Sequence, residues 1–279
     1  MHQIILTTRA ARWEHRLDAV PPIAWLALQA AALWTHWRWA AARVADGSDD
    51  PLGLAALAVL LWAVARQAGE LRGTPRLGAL AAALLLSVAA TVAVFVAPPL
   101  VGAVIAALAL VFGLHAFMPS NRATLPLAGL AVLALPVISS LQFYAGYPLR
   151  VLTAQISTWA LQLGGMQATR SGSAMQVDGQ LVIVDAPCSG VQMAWMGYFC
   201  ACAIAAFAGS SDRRFLGRLP WVGLLVLLGN VLRNTVLVGL EARGATLPET
   251  LHQGIGLAVL ALVCTGVVWV MRGARDDTR

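Results

Sequence analysis

The sequence contains no lysine, so all 19 of its basic residues are arginine. Charge of either sign is scarce, at 11% of the chain, against 59% hydrophobic residues and a mean hydropathy of +0.74. That balance excludes an ordinary soluble domain and implies a polytopic membrane protein. The formal charge of +6 then reads first as a topology signal, and no nucleic-acid partner is expected. A small-residue signal-peptide cleavage site is also missing ahead of the first apolar run. The segment carrying Arg9, Arg12 and Arg16 is therefore expected to be a retained cytoplasmic tail. Cysteine is rare, with four in all. Cys200 and Cys202 lie about 18 to 21 Å along one helix from Cys188 at 1.5 Å per residue, too far for a disulfide with it. Cys264 is similarly deep in the last apolar run, and all three are expected to act as small buried hydrophobes. No internal repeat and no low-complexity linker interrupts the chain.

What is present is a series of apolar runs of bilayer-crossing length. They cover 23–43, 51–68, 77–97, 99–118, 124–144, 188–208, 219–240 and 250–271, predicting about eight transmembrane helices in a single integral membrane domain. Trp34, Trp37 and Trp39 form an interfacial belt that lets Arg38 snorkel. Ala97-Pro98-Pro99 predicts a tight turn between two helices. With the N-terminus inside, only Arg43, Arg150, Arg170 and Arg243 fall in outer loops. Arg38 and Arg233 lie within spans, and the remaining arginines are cytoplasmic, as the positive-inside rule requires. The acidic loop Asp46 to Asp50 agrees. Three parts follow: five helices over 1–144, an outer-face segment over 145–187, and three helices over 188–279. In the outer-face segment, Leu149, Leu152, Ile156, Trp159, Ala160 and Leu163 recur at helical spacing against Arg150, Gln155 and Ser157. This predicts an amphipathic helix over 148–163 lying along the interface. Asp178-Gly179 ahead of Leu181-Val182-Ile183-Val184 predicts a small β-hairpin with a type I′ turn. The fold class is therefore all-α and polytopic, with an outer-face amphipathic helix and hairpin.

The returning strand leads into Asp185-Ala186-Pro187-Cys188-Ser189-Gly190. A thiol at the head of a helix meets the positive end of the dipole, which stabilises its thiolate. Alternating helix directions bring Arg233, about 10 Å short of the outer end of its span, and His252, at the start of the last span, to the same outer depth. Cysteine supplies a nucleophile, histidine a proton carrier near neutral pH, and arginine a permanent cation with five donors. Together they form an acyl-transfer set. Ser189 and Gly190 contribute backbone N–H groups suited to an oxyanion. Gln192 faces the same way as Cys188, and Asn230, Asn234 and Glu241 are candidates for positioning or substrate contact. His2, His15, His36 and His115 lack such partners and read as structural. Arginine is not a zinc ligand and no further His or Cys shares that depth, so no metal and no cofactor is expected.

Cys188-Ser189-Gly190 opening one span, Asn230-Val231-Leu232-Arg233 in the next and His252 beginning the last resemble, in order and spacing, the catalytic half of the exosortase/archaeosortase family. These are membrane-embedded cysteine transpeptidases. The resemblance implies that Cys188 attacks exported proteins bearing a C-terminal tag, a short Pro-containing motif such as Pro-Glu-Pro followed by a transmembrane helix and a basic tail. It implies an acyl-enzyme resolved by a cell-surface acceptor, an exopolysaccharide or lipid-linked molecule among the candidates. It also implies a multi-pass location in a bacterial inner membrane, with both termini cytoplasmic and the site facing the periplasm. A competing reading is a transporter or assembly subunit for an envelope polymer, with Arg233 binding an anionic group in a polar pathway. That reading expects polar residues across the whole membrane, whereas here they cluster at the outer ends.

Overall fold

The structure is a computed structural model that describes residues 20–183, 189–243 and 248–272. The chain divides into two units, Met1–Pro136 and Val137–Arg279. Arg9, Arg12 and Arg16 of the N-terminal tail, His2, His15, Val184, Asp185 to Cys188, Arg275 and Arg279 lie outside the described residues.

The first unit holds α1 (Pro22–Ala32), α2 (Trp34–Ala45), α3 (Gly53–Gln67), α4 (Leu77–Val96), α5 (Pro99–Phe117) and α6 (Leu125–Leu133). Pro98 cannot continue α4, and Pro99 occupies the first turn of α5, so the chain reverses in a helical hairpin as expected. Its two helices meet through small residues: Ala83, Ala90 and Ala93 on α4 are buried, as are Gly102, Ala103, Ala106 and Ala109 on α5. In lipid, where apolar burial gives helices little reason to associate, small side chains let backbones approach and gain dispersion contacts. Arg38 lies over the Trp34 ring, with Cζ 4.8 Å from its centroid, a contact that offsets part of the cost of a cation at the membrane boundary.

The second unit contains α7 (Ile138–Leu163), three strands, and α8 (Val191–Ala208), α9 (Asp212–Glu241) and α10 (Glu249–Arg272). The strands β1 (Ala168–Ser171), β2 (Ala174–Val177) and β3 (Gln180–Ile183) form an antiparallel meander in the order β1-β2-β3. The predicted turn is there, with Asp178 at φ 47° and Gly179 at φ 85°, the positive pair that type I′ geometry requires. The sheet has one strand more than the expected hairpin. Gly172, at φ 61°, takes the first central position of a second two-residue turn, pairing Ser171 with Ala174. One face of the sheet is anchored: Ala168, Met175 and Val177 pack with Ala154 and Leu161 of α7 and Val238 of α9.

Two expectations need correction. Among the described residues, five helices are long and apolar enough to cross a membrane, namely α4, α5, α8, α9 and α10; counting α6 with α7 as one broken span makes six, not eight. The run over 23–43 breaks at Leu33 into helices of 11 and 12 residues, and α3 has only 15. Fifteen residues rise about 22 Å, short of a hydrocarbon core of about 30 Å. The run over 124–144 is likewise interrupted between Leu133 and Ile138, around Pro136.

The second correction concerns the amphipathic helix over 148–163. It is the later part of α7, which begins ten residues earlier and runs through Pro148 without ending. Thr153, Ser157 and Thr158 are buried, while Leu152, Trp159 and Leu163 are exposed. In a membrane protein, polar groups gain most by meeting partners inside the bundle and apolar ones lose nothing by facing lipid.

Candidate functional site

Consecutive antiparallel helices bring the C-terminal part of α9 and the first turns of α8 and α10 to one end of the second unit. Arg233 Nη2 lies 3.4 Å from His252 Nε2. Guanidinium only donates, so this contact is a hydrogen bond when the imidazole nitrogen accepts, which leaves the ring proton on Nδ1. Nδ1 has no hydrogen-bond partner among the described residues. Both side chains are half-buried. An arginine in a span has a large desolvation cost, so its position is set by the groups that receive its N–H donors.

Gly190 has φ 84° and ψ 1° immediately before α8. That left-handed conformation favours glycine, and space demands it as well: a Cβ at Gly190 would lie 2.9 Å from Cγ and Nδ2 of Asn230. The chain entering α8 thus rests on Asn230, one helical turn from Arg233 on α9. Ser189 is buried, and its hydroxyl donates to Gln142 Oε1 at 2.8 Å while accepting the Val191 N–H at 3.3 Å. The Val191 amide is thereby occupied, and the hydroxyl is held rather than free to react. Cys188 lies outside the described residues, tied to this anchored pair by one peptide bond.

Asn230 and Asn234 are almost wholly buried. Asn230 Nδ2 donates to Thr153 Oγ1 at 3.0 Å, and Asn234 Nδ2 donates to Ser157 Oγ at 3.2 Å. Ser157 in turn donates to the Val231 carbonyl at 3.4 Å. Residues at i and i+4 on α7 therefore meet residues at i and i+4 on α9 as two polar rungs. They fix the rotation of α9 about its own axis and with it the direction of Arg233.

The remaining candidates are more scattered. Gln192 is exposed in the first turn of α8, and Glu241 is half-buried as the last residue of α9. Glu241 lies eight residues beyond Arg233, about 12 Å along the axis, and makes no ion pair with Arg233 among the described residues. No group of three His, Cys, Asp or Glu side chains suited to a metal ion occurs among the described residues. Sequence reasoning missed Thr153, Ser157 and Gln142. Their signal was a polar stripe on a helix otherwise lined with apolar residues, which in a bilayer points inward.

The other histidines and cysteines sit elsewhere. His36 is buried with Nε2 3.1 Å from the Ala90 carbonyl. His115 contacts Arg76 and Thr124 in the first unit. Cys202 is buried in α8, and Cys200 Sγ lies 3.8 Å from Cys264 Sγ on α10. An apolar cavity of about 790 Å³ in the first unit, lined by Leu26, Leu57, Leu61 and Leu114 among others, includes none of the candidate site residues.

The chain has no match among curated proteins or solved structures. A family model described as transmembrane exosortase matches residues 13–269, a range that takes in all six described α-helices of the first unit and every candidate site residue. With most of its length covered, and with the Arg233–His252 contact inside that range, the chain belongs to the transmembrane exosortase family.

Proposed function

We propose that this exosortase is a membrane-embedded cysteine transpeptidase in which Cys188 is the nucleophile, His252 the acid and base, and Arg233 the electrostatic stabiliser. The observation that carries the reading is the 3.4 Å contact between Arg233 and His252. It occurs one turn along α9 from the Asn230 side chain that supports Gly190, two residues after the thiol. The Cys188 thiolate attacks a peptide carbonyl near the C-terminal tag of an exported protein. A C–S bond forms, and the carbonyl oxygen gains negative charge that a guanidinium stabilises. Collapse breaks the C–N bond, and the departing amine takes a proton from the imidazole that accepted the thiol proton. The resulting thioester is resolved by a nucleophile from a cell-surface acceptor, with His252 again moving the proton.

The tag helix lies beside α8 to α10, which places its scissile bond at the membrane boundary. In this reading the boundary is the outer face of a bacterial inner membrane with both termini inside, an orientation that the arginine distribution supports. Gln192, Asn234 and Glu241 serve the site through substrate contact or positioning, and no metal or cofactor takes part.

Co-expression with a tagged substrate tests this. Cys188→Ala and Cys188→Ser abolish processing while the protein remains inserted, and Arg233→Lys fails as well, because an ammonium offers no planar pair of donors. Normal processing by Cys188→Ala contradicts the reading.

A further inference from the structure

We propose that Gly256 is a positioning residue, whose missing side chain forms the seat in which Arg233 is held against His252. His252 and Gly256 are one turn apart on α10 and so share a face. A Cβ at Gly256 would lie 3.2 Å from Arg233 Nε and 3.6 Å from both Cζ and Nη2. The guanidinium therefore lies across the bare backbone at 256, and its Nη2 reaches the imidazole one turn earlier.

Glycine in a helix interior is destabilising relative to alanine, so its presence calls for a gain elsewhere. The other glycines of α10 make the contrast. A Cβ at Gly254 would meet nothing within 4 Å, and one at Gly266 would meet the aliphatic side chain of Leu225. Of these three, Gly256 alone faces a charged group. A Cβ there makes the guanidinium give by a few tenths of an ångström, and a larger side chain displaces it further; a shift of about 1 Å is enough to cost on the order of 100-fold where reacting groups must be aligned. Arg233 and Gly256 thus act as one unit: the long side chain from α9 is matched to the space left on α10.

This inference rests on the transpeptidase reading, and the experiment separates the two. Processing of a tagged substrate is timed for Gly254→Ala, Gly256→Ala, Gly256→Leu, Cys188→Ala and Arg233→Ala, with folded yield after detergent extraction measured alongside. Gly254→Ala keeps the parental rate. Gly256→Ala is slowed by about threefold to tenfold and Gly256→Leu by on the order of 100-fold, at unchanged folded yield. The double variant Gly256→Leu with Arg233→Ala is no slower than Arg233→Ala alone, since both changes remove the same contact; where Arg233→Ala has no measurable rate, the acylation readout below decides in its place. Acylation of the unprotonated His252 imidazole by diethylpyrocarbonate rises equally in Gly256→Leu and Arg233→Ala.

Parental processing and parental acylation in Gly256→Leu, with Cys188→Ala inactive, overturn the seat and leave the transpeptidase reading standing. Multiplying losses in the double variant also overturn it, because they mean that Gly256 serves only helix packing. If Cys188→Ala processes normally, the transpeptidase reading falls and the acylation result alone decides the seat.

Discussion

Among the described residues, an arginine–histidine contact occurs in each unit, and the two differ in what surrounds them. In the first unit, Arg76 Nη1 lies 3.3 Å from His115 Nε2, and Arg76 Nη2 donates to the Met118 carbonyl at 3.0 Å. His115 Nδ1 is 2.6 Å from Thr124 Oγ1. Both ring nitrogens are engaged, and the cluster ties the end of α5 to the segments before α4 and α6. In the second unit, Arg233 contacts His252 Nε2 at 3.4 Å, and Nδ1 has no partner among the described residues. The same two residue types thus make a structural joint in one place and a set of groups with proton-carrying capacity in the other. What separates them is the second ring nitrogen, and the neighbourhood of a Ser189-Gly190 turn that follows a cysteine.

The sharpest way to break this contrast is to remove each imidazole in turn. His252→Ala is expected to slow substrate processing by about 10²- to 10⁴-fold, the range of a lost general acid and base, with little change in folded yield. His115→Ala is expected to leave processing per folded molecule unchanged. It lowers stability by about 1–3 kcal/mol, since Arg76 and Thr124 lose a partner. Thermal unfolding in detergent, read beside the processing rate, distinguishes the outcomes; equal effects of the two changes on rate would erase the difference between the sites.

A smaller effect sharpens the picture of how the second site is held. Asn234→Ala removes one rung between α9 and α7 and leaves Ser157 without its donor. The expected loss is roughly 0.5–2 kcal/mol, in line with hydrogen bonds between membrane helices. If α9 owes its rotation to these rungs, processing falls by a few fold as well. A stability loss with an unchanged rate shows that the α9–α10 packing alone orients Arg233.

The least perturbing test concerns the cysteine pair. With Cys200 and Cys264 sulfurs 3.8 Å apart, an added oxidant such as copper phenanthroline joins them into a disulfide detectable by mass spectrometry of linked peptides. Cys202, on the same helix, stays unlinked to Cys264. Absence of the Cys200–Cys264 link contradicts the packing of α10 on α8 that places His252.

The helical hairpin at Pro98-Pro99 and the Asp178-Gly179 turn were legible in the sequence because each depends on local backbone chemistry. Arg233 and His252 were legible as well, since ionisable residues stand out against apolar runs and helix alternation fixes which ends meet. The polar rungs of α7 were not, because Thr153 and Ser157 find their partners, Asn230 and Asn234, far along the chain. Gly256 was invisible for a different reason: its contribution is the absence of a side chain, and only the arginine lying over it gives that absence a meaning. The span count failed where apolar runs are longer than the helices within them, as at Leu33 and around Pro136.

The central claim is that the sulfur of Cys188 takes up the substrate acyl group. The direct measurement is mass spectrometry of the parental enzyme incubated with a tagged substrate while the acceptor is withheld. The account predicts a peptide containing Cys188 that carries the substrate's new C-terminus as a thioester, released by hydroxylamine. Processed substrate with an unmodified Cys188, or an acyl group on another residue, contradicts it.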